Sequence, residues 1–231
     1  GTIDLTWGLI VALTMNIVKE DKAIREGKWQ TAVSTSLSGK TLGVIGLGGL
    51  GAKAAAHAPA FGMDMIAWSQ NMTAERAAEC GGTLVTKDEL FSRSDVITIH
   101  YVLTERSVDL VGARELALMK PTAYLINTSR GFIVNEAALI DALERKTIAG
   151  AGIDTFDQEP LPLDHPFRRL DNVIVTPHIG YVTRETYASW FPQILENIQA
   201  FLKGDYLRVL NPAVLSSTKL RGPGKPSNND I

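Results

Sequence analysis

The pattern of apolar segments predicts an α/β domain built on a doubly wound parallel sheet. Short runs rich in Val, Ile and Leu alternate with segments of helical periodicity along most of the 231 residues. Runs that are apolar on both sides are typical of parallel strands covered by helices on both faces. A glycine-rich turn at residues 46–51, directly after the first predicted strand, is the third observation that favours this class.

A helical segment comes before the sheet. Apolar side chains recur at helical spacing in Leu5, Leu9, Leu13 and Ile17, which predicts one long helix from residue 3 to about residue 27. Its first half is apolar nearly all round, so we expect other groups to cover it on more than one side. The sequence leaves open whether a partner surface or the helix's own domain provides that cover.

The remaining elements follow in alternation. Six strands are predicted at residues 41–45, 63–68, 96–100, 123–127, 149–154 and 173–176. Helices are predicted between them at residues 50–61, 73–80, 86–91, 113–119 and 135–145. From Ser216 onward the chain is polar and rich in Gly, Pro and Asn, which predicts a flexible tail.

The amino-acid composition argues against some classes of binding partner. Lys and Arg number 23 and Asp and Glu 25, so the net charge of −2 gives no positive field for nucleic acid or an anionic membrane. Cys80 is the single cysteine, and neither a long apolar span nor a cleavable leader is evident. We therefore expect a cytoplasmic protein with no nucleic-acid or membrane partner.

The glycine-rich turn has the spacing G-x-G-x-x-G. Gly46 permits a tight turn, Gly48 lets the backbone approach a pyrophosphate, and Gly51 allows close packing of the next helix on the strand. Because the turn lies between a predicted strand and a predicted helix, it indicates a dinucleotide cofactor.

The choice between NAD and NADP stays open at this stage. An acidic residue about 20 positions after the turn holds the ribose 2′-hydroxyl of NAD. Here Ser69, Gln70 and Asn71 follow the second predicted strand, with no carboxylate. No Arg or Lys follows at once to receive a 2′-phosphate, and Arg76 lies further on, on the next predicted helix.

Three later strands end in chemically complementary side chains. Arg130 offers a planar guanidinium for a substrate carboxylate, and Asp154 and then Glu159 follow the next strand. His178 follows the last strand, where a carboxylate such as Glu159 can orient it for proton transfer. Since ligands bind at the carboxyl ends of parallel strands, these residues form a candidate active site.

Each of these residues also has an ordinary structural interpretation. Arg130 would then form a surface ion pair, Asp154 would cap a turn, and His178 would be a hydrogen-bonded loop histidine. Three such strand ends beside a dinucleotide turn favour the catalytic interpretation. His57, His165 and His100 are weaker candidates for a catalytic role than His178, although His100 ends a strand near the cofactor turn. No histidine pair or cysteine cluster has metal-ligand spacing, so we expect no metal.

Taken together, the motifs resemble those of the D-2-hydroxyacid dehydrogenase family. The segments that carry the resemblance are residues 46–51, 118–121 (Leu-Met-Lys-Pro), 127–131 (Asn-Thr-Ser-Arg-Gly), 154–160 (Asp-Thr-Phe-Asp-Gln-Glu-Pro) and 176–180 (Thr-Pro-His-Ile-Gly). The resemblance implies a Rossmann-like domain and an enzyme that transfers hydride between NAD(P)H and a small 2-keto or D-2-hydroxy acid.

The resemblance also implies roles for individual residues. The catalytic residues would be Arg130, which binds the substrate carboxylate, and His178 with Glu159, which form the acid/base pair. Cofactor contacts are implied for Gly46, Gly48, Gly49, Leu50, Gly51, Ser69, Thr104, Thr128, Ser129, Arg130, Asp154, His178 and Gly180.

Two positions depart from the family pattern. Ser69 stands where the acid usually lies, and Val102 stands where the family has proline, so the loop after the fourth strand is expected to differ. Glu159 is retained, which argues against the formate dehydrogenase branch, where glutamine takes that role.

The resemblance further implies a division of the chain. Residues 1–38 would be a linking and dimerisation segment, 39–182 the dinucleotide-binding domain, 183–212 a helix returning to the substrate domain, and 213–231 a flexible tail. Because the chain begins with Gly1 at the linking helix, we expect most of the substrate domain to be missing and the chain to turn over poorly. A homodimer is also implied. The alternatives are an NADH-sensing, corepressor-like interaction protein and a catalytically inactive fragment.

Overall fold

Seven parallel strands form the centre of the computed structural model, which describes residues 1–216. Their order across the sheet is β3-β2-β1-β4-β5-β6-β7, so the chain winds outward from β1 in both directions, as the doubly wound prediction requires. The strands are β1 Thr41–Ile45, β2 Asp64–Trp68, β3 Thr83–Leu84, β4 Val96–Ile99, β5 Tyr124–Asn127, β6 Gly150–Ile153 and β7 Val173–Val175.

Helices connect the strands and flank the sheet. The α-helices are α1 Thr2–Thr14, α2 Ile17–Arg25, α3 Gly49–Ala55, α4 Ala74–Glu79, α5 Lys87–Arg93, α6 Ala113–Leu118, α7 Glu136–Glu144 and α8 Arg184–Leu202. Short 3-10 helices lie at Ala58–Phe61, Glu105–Ser107, Gly131–Ile133, Pro166–Arg168 and Pro212–Ser216. The Rossmann-like prediction is confirmed.

The prediction of one long N-terminal helix is wrong. Asn16 adopts the left-handed conformation with φ of 54°, which ends α1 and starts α2 in a new direction. The two helices are bent by 60° at this break. Asparagine tolerates left-handed backbone better than most residues, so it commonly ends helices.

The predicted helix over residues 50–61 is also interrupted. The structure ends α3 at Ala55 and continues as a 3-10 helix, Ala58–Phe61. Pro59 lies in the first turn of that 3-10 helix, where its missing N–H costs nothing, whereas it would break an α-helix interior.

Apolar packing covers both faces of the sheet. Alternate residues of a strand point to opposite faces: Leu42 and Val44 of β1 join a core with α1 and α3, whereas Ile45 joins a core with α5, α6 and α7. Helix α1 packs on β5 and β6, and its Leu9 and Leu13 lie beside Gly152. The helix's own domain therefore covers its apolar residues, which answers the question that the sequence left open.

The chain divides into two compact units, Gly1–Tyr181 and a second that begins at Val182. In the second unit, the Thr183 hydroxyl accepts a hydrogen bond from the Thr186 N–H and caps α8. None of the residues of α8 is buried. The predicted tail begins at residue 213, but residues 213–216 belong to a 3-10 helix; the rest of it, residues 217–231, lies outside the described residues.

Within residues 1–216, no single helix is long and apolar enough to cross a membrane. Helices α1 and α2 together have the length and apolar composition of a membrane span, but the chain bends by 60° between them.

Candidate active site

The glycine-rich turn links β1 to α3 with little room for side chains. Gly46 has φ of +90°, and a Cβ there would stand 2.5 Å from the carbonyl oxygen of His100. A Cβ on Gly51 would overlap the carbonyl oxygen of Gly46. By contrast, the Cβ positions of Gly48 and Gly49 meet no atom within 4 Å, so the backbone is open to a ligand on that side.

The start of α3 carries no side-chain cap. Gly48 occupies the N-cap position without a side-chain hydrogen bond, and Leu50 in the first turn is half exposed. Free N–H groups at a helix start attract anions. The turn therefore offers space and N–H donors to an anion, and its contact with a pyrophosphate stays a prediction.

A cleft of about 1010 Å³ opens beside this turn. It is lined by the turn itself, by the segment after β2 that contains Ser69, and by the loop after β4 that contains Thr104. Gln70, Asn71 and Arg76 also line it. Ser69 and Thr104, both predicted to contact the cofactor, thus lie on the same cleft as the glycine turn.

The loop after β4 is closed by one serine hydroxyl. Ser107 Oγ lies 2.9 Å from the Val102 carbonyl oxygen and 3.0 Å from the Thr104 carbonyl oxygen, and it accepts the N–H of Thr104 at 2.7 Å. Val102, which stands where proline is usual, is exposed at the cleft. Hydrogen bonds to Ser107 therefore hold the loop that proline would otherwise stiffen.

His100 lines the same cleft in a largely buried position. Its Nε2 lies 3.0 Å from the Thr98 hydroxyl. Burial lowers the pKa of His100 to about 4, because a cation loses its hydration there. The side chain is neutral near pH 7.

The turn after β5 fixes the backbone of Arg130. Asn127 accepts the N–H of Ser129 at 3.0 Å and donates its side-chain amide to the Arg130 carbonyl at 2.9 Å. The Ser129 hydroxyl donates to the carbonyl of Tyr101 at 2.6 Å, which ties this turn to the loop after β4. The Arg130 guanidinium is exposed and donates to the Ser129 carbonyl at 2.6 Å.

Gly131 brings the turn after β5 against the segment after β6. A Cβ on Gly131 would overlap the carbonyl of Phe156 and stand 2.7 Å from the Asp157 nitrogen. Only glycine permits this approach. The segment after β6 carries Glu159, so Gly131 allows Arg130 and Glu159 to share one edge of the sheet.

His178 and Glu159 form a hydrogen-bonded pair. His178 Nδ1–H donates to Glu159 Oε2 at 2.8 Å. An ionised carboxylate has no proton to give, so the proton lies on Nδ1 and Nε2 is left for a ligand. The Tyr181 ring meets the imidazole edge-on, with centroids 5.8 Å apart.

Several donors act on the carboxyl group of Glu159. Burial works to raise its pKa, but hydrogen bonds from His178 and from the Phe156 N–H and the charges of His178 and Arg130 outweigh burial. The pKa of Glu159 therefore lies below its ordinary value, and the carboxylate is ionised beside the imidazole near pH 7. Arg130 lies close enough for its charge to act on the Glu159 carboxylate.

Asp154 supports the turn that carries His178. Its carboxylate accepts the Thr176 hydroxyl at 2.6 Å and the N–H groups of Ile179 and Gly180 at 2.9 and 3.0 Å. The residue is 1% exposed. These contacts direct the side chain of Asp154 toward the turn itself, although the resemblance implies a contact with the nicotinamide.

Two further residues with implied cofactor contacts are committed to internal hydrogen bonds. The Thr128 hydroxyl pairs with Thr6 on α1 at 2.9 Å. Gly180 gives its N–H to Asp154, and its carbonyl accepts the Thr2 hydroxyl at 3.1 Å. The Thr128 side chain and both backbone groups of Gly180 are therefore used within the fold.

Beneath the Glu159 segment lies an acidic cluster that sequence reasoning missed. His165 Nε2 lies 3.0 Å from Glu136 Oε1. Burial, followed by the charges of Glu136 and Asp109, raises the pKa of Asp157, whose Oδ1 is buried without a partner among the described residues. No spacing rule links residues so far apart in sequence. Across residues 1–216, no three His, Cys, Asp or Glu side chains assemble into a potential metal site.

Comparison with known proteins identifies the family. The family described as D-isomer specific 2-hydroxyacid dehydrogenase, NAD binding domain, matches residues 7–180. The chain belongs to the D-isomer-specific 2-hydroxyacid dehydrogenase family. A glyoxylate reductase from Thermococcus litoralis is 38% identical over 228 residues, which cover 94% of this chain and 69% of that protein.

Solved structures agree with this membership of the D-2-hydroxyacid dehydrogenase family. A phosphoglycerate oxidoreductase from Vibrio cholerae superposes with a TM-score of 0.84 at 31% identity, covering 88% of this chain and 66% of that one. A D-lactate dehydrogenase from Aquifex aeolicus, complexed with NAD and lactic acid, superposes with a TM-score of 0.79 at 29% identity, with coverage of 88% and 66%. The chain is therefore that of an NAD(P)-dependent dehydrogenase in a family that acts on 2-hydroxy acids.

Proposed function

We propose that this chain catalyses reversible hydride transfer between NAD(P)H and a small 2-keto acid to give a D-2-hydroxy acid. The observation that carries the proposal is the pair formed by His178 Nδ1 and Glu159 Oε2 at 2.8 Å, on a sheet edge shared with Arg130. Each of the three residues follows a different strand, and parallel strands present their carboxyl ends to one ligand.

Arg130 binds the substrate carboxylate in this proposal. Its guanidinium has five N–H groups, and one nitrogen, Nη1, has a hydrogen bond among the described residues, to Ser129. The rest of the fork is available for a planar carboxylate, which arginine binds with two parallel hydrogen bonds. Its backbone is held by Asn127, so the side chain starts from a fixed point.

His178 moves the proton. During reduction the doubly protonated ring gives its Nε2 proton to the oxygen of the keto group and becomes neutral, with Nδ1–H still held by Glu159. During oxidation the neutral ring takes that proton from the hydroxyl at Nε2. The Glu159 carboxylate holds Nδ1–H and the orientation of the ring, so Nε2 is the nitrogen that faces the substrate. The bound nicotinamide supplies or accepts the hydride.

The turn at residues 46–51 binds the cofactor. Gly46 and Gly51 leave no room for a Cβ, whereas the Gly48 and Gly49 positions are open, and an approaching pyrophosphate needs this combination. We also propose that the protein acts as a homodimer, which the exposed apolar side chains of residues 15–33 support.

Replacing His178 by Asn tests the acid/base role. We expect turnover of NAD(P)H with glyoxylate, hydroxypyruvate or pyruvate to fall about 10²–10⁴-fold, because positioned proton transfer contributes that much. The dissociation constant of the cofactor, measured by titration calorimetry, should change less than about twofold, or under about 0.4 kcal/mol.

His57→Asn is the matched control, because His57 is an exposed histidine whose ring donates to the Lys53 carbonyl and lies away from the glycine turn and the Glu159 segment. It should leave turnover and binding unchanged. Loss of turnover and cofactor binding together in the His178 variant would indicate a structural histidine. Tight cofactor binding without turnover of any 2-keto acid would contradict the enzyme proposal for this chain and favour a redox-sensing protein or an inactive fragment.

A further inference from the structure

The segment after β2 faces the cofactor cleft without an acidic side chain. Ser69, Gln70 and Asn71 line the cleft together with Gly46 and Gly48 of the turn. In dinucleotide-binding domains, a carboxylate here accepts the ribose 2′-hydroxyl and repels a 2′-phosphate. A hydroxyl and two amides provide hydrogen-bond donors at this place and no negative charge.

Arg76 brings a positive charge to the same part of the cleft. From α4, its guanidinium reaches back to the glycine turn, where Nε and Nη2 both donate to the Leu47 carbonyl, at 3.3 and 3.1 Å. Two hydrogen bonds to one backbone oxygen fix the guanidinium beside the turn. Arg76 itself lines the cleft with Ser69.

The charge of Arg76 is only weakly compensated. Its ion-pair partner is Glu79 at 3.1 Å, and the two side chains are 46% and 65% exposed. Exposed pairs of this kind contribute little and exchange easily with solvent. Five N–H groups belong to the guanidinium, and three of them serve Leu47 and Glu79 within the described chain. Two N–H groups remain for an anion.

The other charged side chains of the cleft do not cancel the positive charge of Arg76. The lining residues that the structure describes include one acid, Glu105, and a second arginine, Arg106, next to it in the loop after β4. His100 is neutral near pH 7, because burial lowers its pKa to about 4. The cleft therefore has two cationic side chains and one anionic one.

We propose that the chain selects NADP(H) over NAD(H), and that Arg76 and Ser69 hold the 2′-phosphate of the adenosine ribose. Arginine binds phosphate with charge-assisted hydrogen bonds, and the serine hydroxyl adds a neutral donor. The inference rests on the dinucleotide site of the proposed function and adds the choice of cofactor to it.

Equilibrium binding tests this choice without relying on turnover. We would titrate the whole chain with NADPH, NADH, adenosine 2′,5′-bisphosphate and AMP by calorimetry. NADPH should bind at least about tenfold more tightly than NADH, and adenosine 2′,5′-bisphosphate should bind more tightly than AMP by a similar factor. The last pair isolates the contribution of the 2′-phosphate from that of the nicotinamide.

Two substitutions assign the preference to named side chains. Arg76→Gln should weaken NADPH about tenfold or more and leave NADH within about twofold, since it removes the charge. Arg76→Lys should retain part of the preference, because it keeps the charge without the planar fork. Ser69→Asp should invert the preference, because a carboxylate accepts the 2′-hydroxyl and repels the phosphate.

Arg145→Gln is the control, because Arg145 directly follows α7, is 74% exposed and pairs with Asp141. It should change neither affinity. Equal affinity of the unmodified chain for NADH and NADPH would overturn the inference and leave the proposed function standing. Equal weakening of both cofactors by Arg76→Gln would also overturn it, because Arg76 would then only support the turn through Leu47. Failure of both dinucleotides to bind would overturn the proposed function as well.

Discussion

The buried carboxylate of Asp154 determines where His178 lies by holding the backbone on either side of it. It accepts the Thr176 hydroxyl and the N–H groups of Ile179 and Gly180. His178 has φ of 53°, a left-handed conformation that is costly for a residue other than glycine and persists only where its surroundings enforce it. A single hydrogen bond contributes on the order of 1 kcal/mol, so the three that Asp154 accepts together are enough to enforce it.

His100 makes the stability of the fold sensitive to acid. Its pKa is about 4 in the folded chain because it is buried, and about 6.5 in an unfolded chain. The unfolded chain therefore binds the proton more tightly, and stability is lost as the pH falls from about 6.5 to about 4. By pH 4.5 this linkage amounts to roughly 2–3 kcal/mol.

Replacing His100 by Gln should remove that loss. The free energy of unfolding, measured with urea at pH 7 and pH 4.5, should fall roughly 2–3 kcal/mol less in the variant than in the unmodified chain. Glutamine keeps a polar group within reach of the Thr98 hydroxyl and does not titrate. His57→Gln should keep the full acid sensitivity. An equal acid loss in both variants would mean that other groups account for it.

Among the elements, the sequence predicts best where burial alone decides. The first strand is predicted at residues 41–45 and found there, because an apolar run bounded by Lys40 and the glycine turn has one place in a parallel sheet. The two-residue strand β3 was not predicted, since Thr83–Leu84 is too short to show periodicity. The break between α1 and α2 depends on the single dihedral of Asn16, which apolar spacing does not reveal.

In the candidate active site, the sequence predicts which residues lie near one another but not where each side chain points. Strand ends predict that Arg130, Glu159 and His178 share an edge, and the structure brings them to it. Strand ends do not predict that Thr128 turns to Thr6 on α1. That contact depends on how α1 packs across the sheet. The sequence around Thr128 does not indicate that Thr6 will lie beside it.

The approach of the segments after β5 and β6 depends on Gly131. Gly131→Ala would place a methyl group against the carbonyl of Phe156, which is backbone and cannot rotate away. We expect a loss of about 1–3 kcal/mol in unfolding free energy, typical of overpacking. Turnover should fall as well, because the two segments carry Arg130 and Glu159. Urea unfolding and steady-state kinetics measure the two effects.

Gly8→Ala is the matched control for that substitution. Gly8 lies inside α1, and nothing stands within 4 Å of its Cβ position. Alanine there should raise the unfolding free energy by up to about 1 kcal/mol, because it favours the helix, and should leave turnover unchanged. Wild-type turnover in Gly131→Ala would contradict the proposed dependence of the site on this close approach.

At the scale of the whole molecule, the segment between the first helix and the sheet carries several exposed apolar side chains. We call residues 15–33 the N-terminal arm. Its large apolar side chains are all at least 47% exposed, and Trp29 and Val33 reach 76% and 97%: they are Met15, Ile17, Val18, Ile24, Trp29 and Val33. Groups of exposed apolar side chains often mark surfaces that bind a partner. A second copy of the chain is the partner that the proposed homodimer requires.

A double substitution in the N-terminal arm tests that homodimer. Trp29→Ser with Val33→Ser should shift the chain from dimer to monomer in sedimentation velocity at micromolar concentration, because it removes the two most exposed apolar groups of the arm. Unfolding free energy should change little, since neither side chain is buried. Leu163→Ser is the control, because Leu163 is 91% exposed and lies outside the N-terminal arm. This substitution should leave the dimer intact. A monomeric unmodified chain, or a dimer that survives the double substitution, would exclude this arm as the interface.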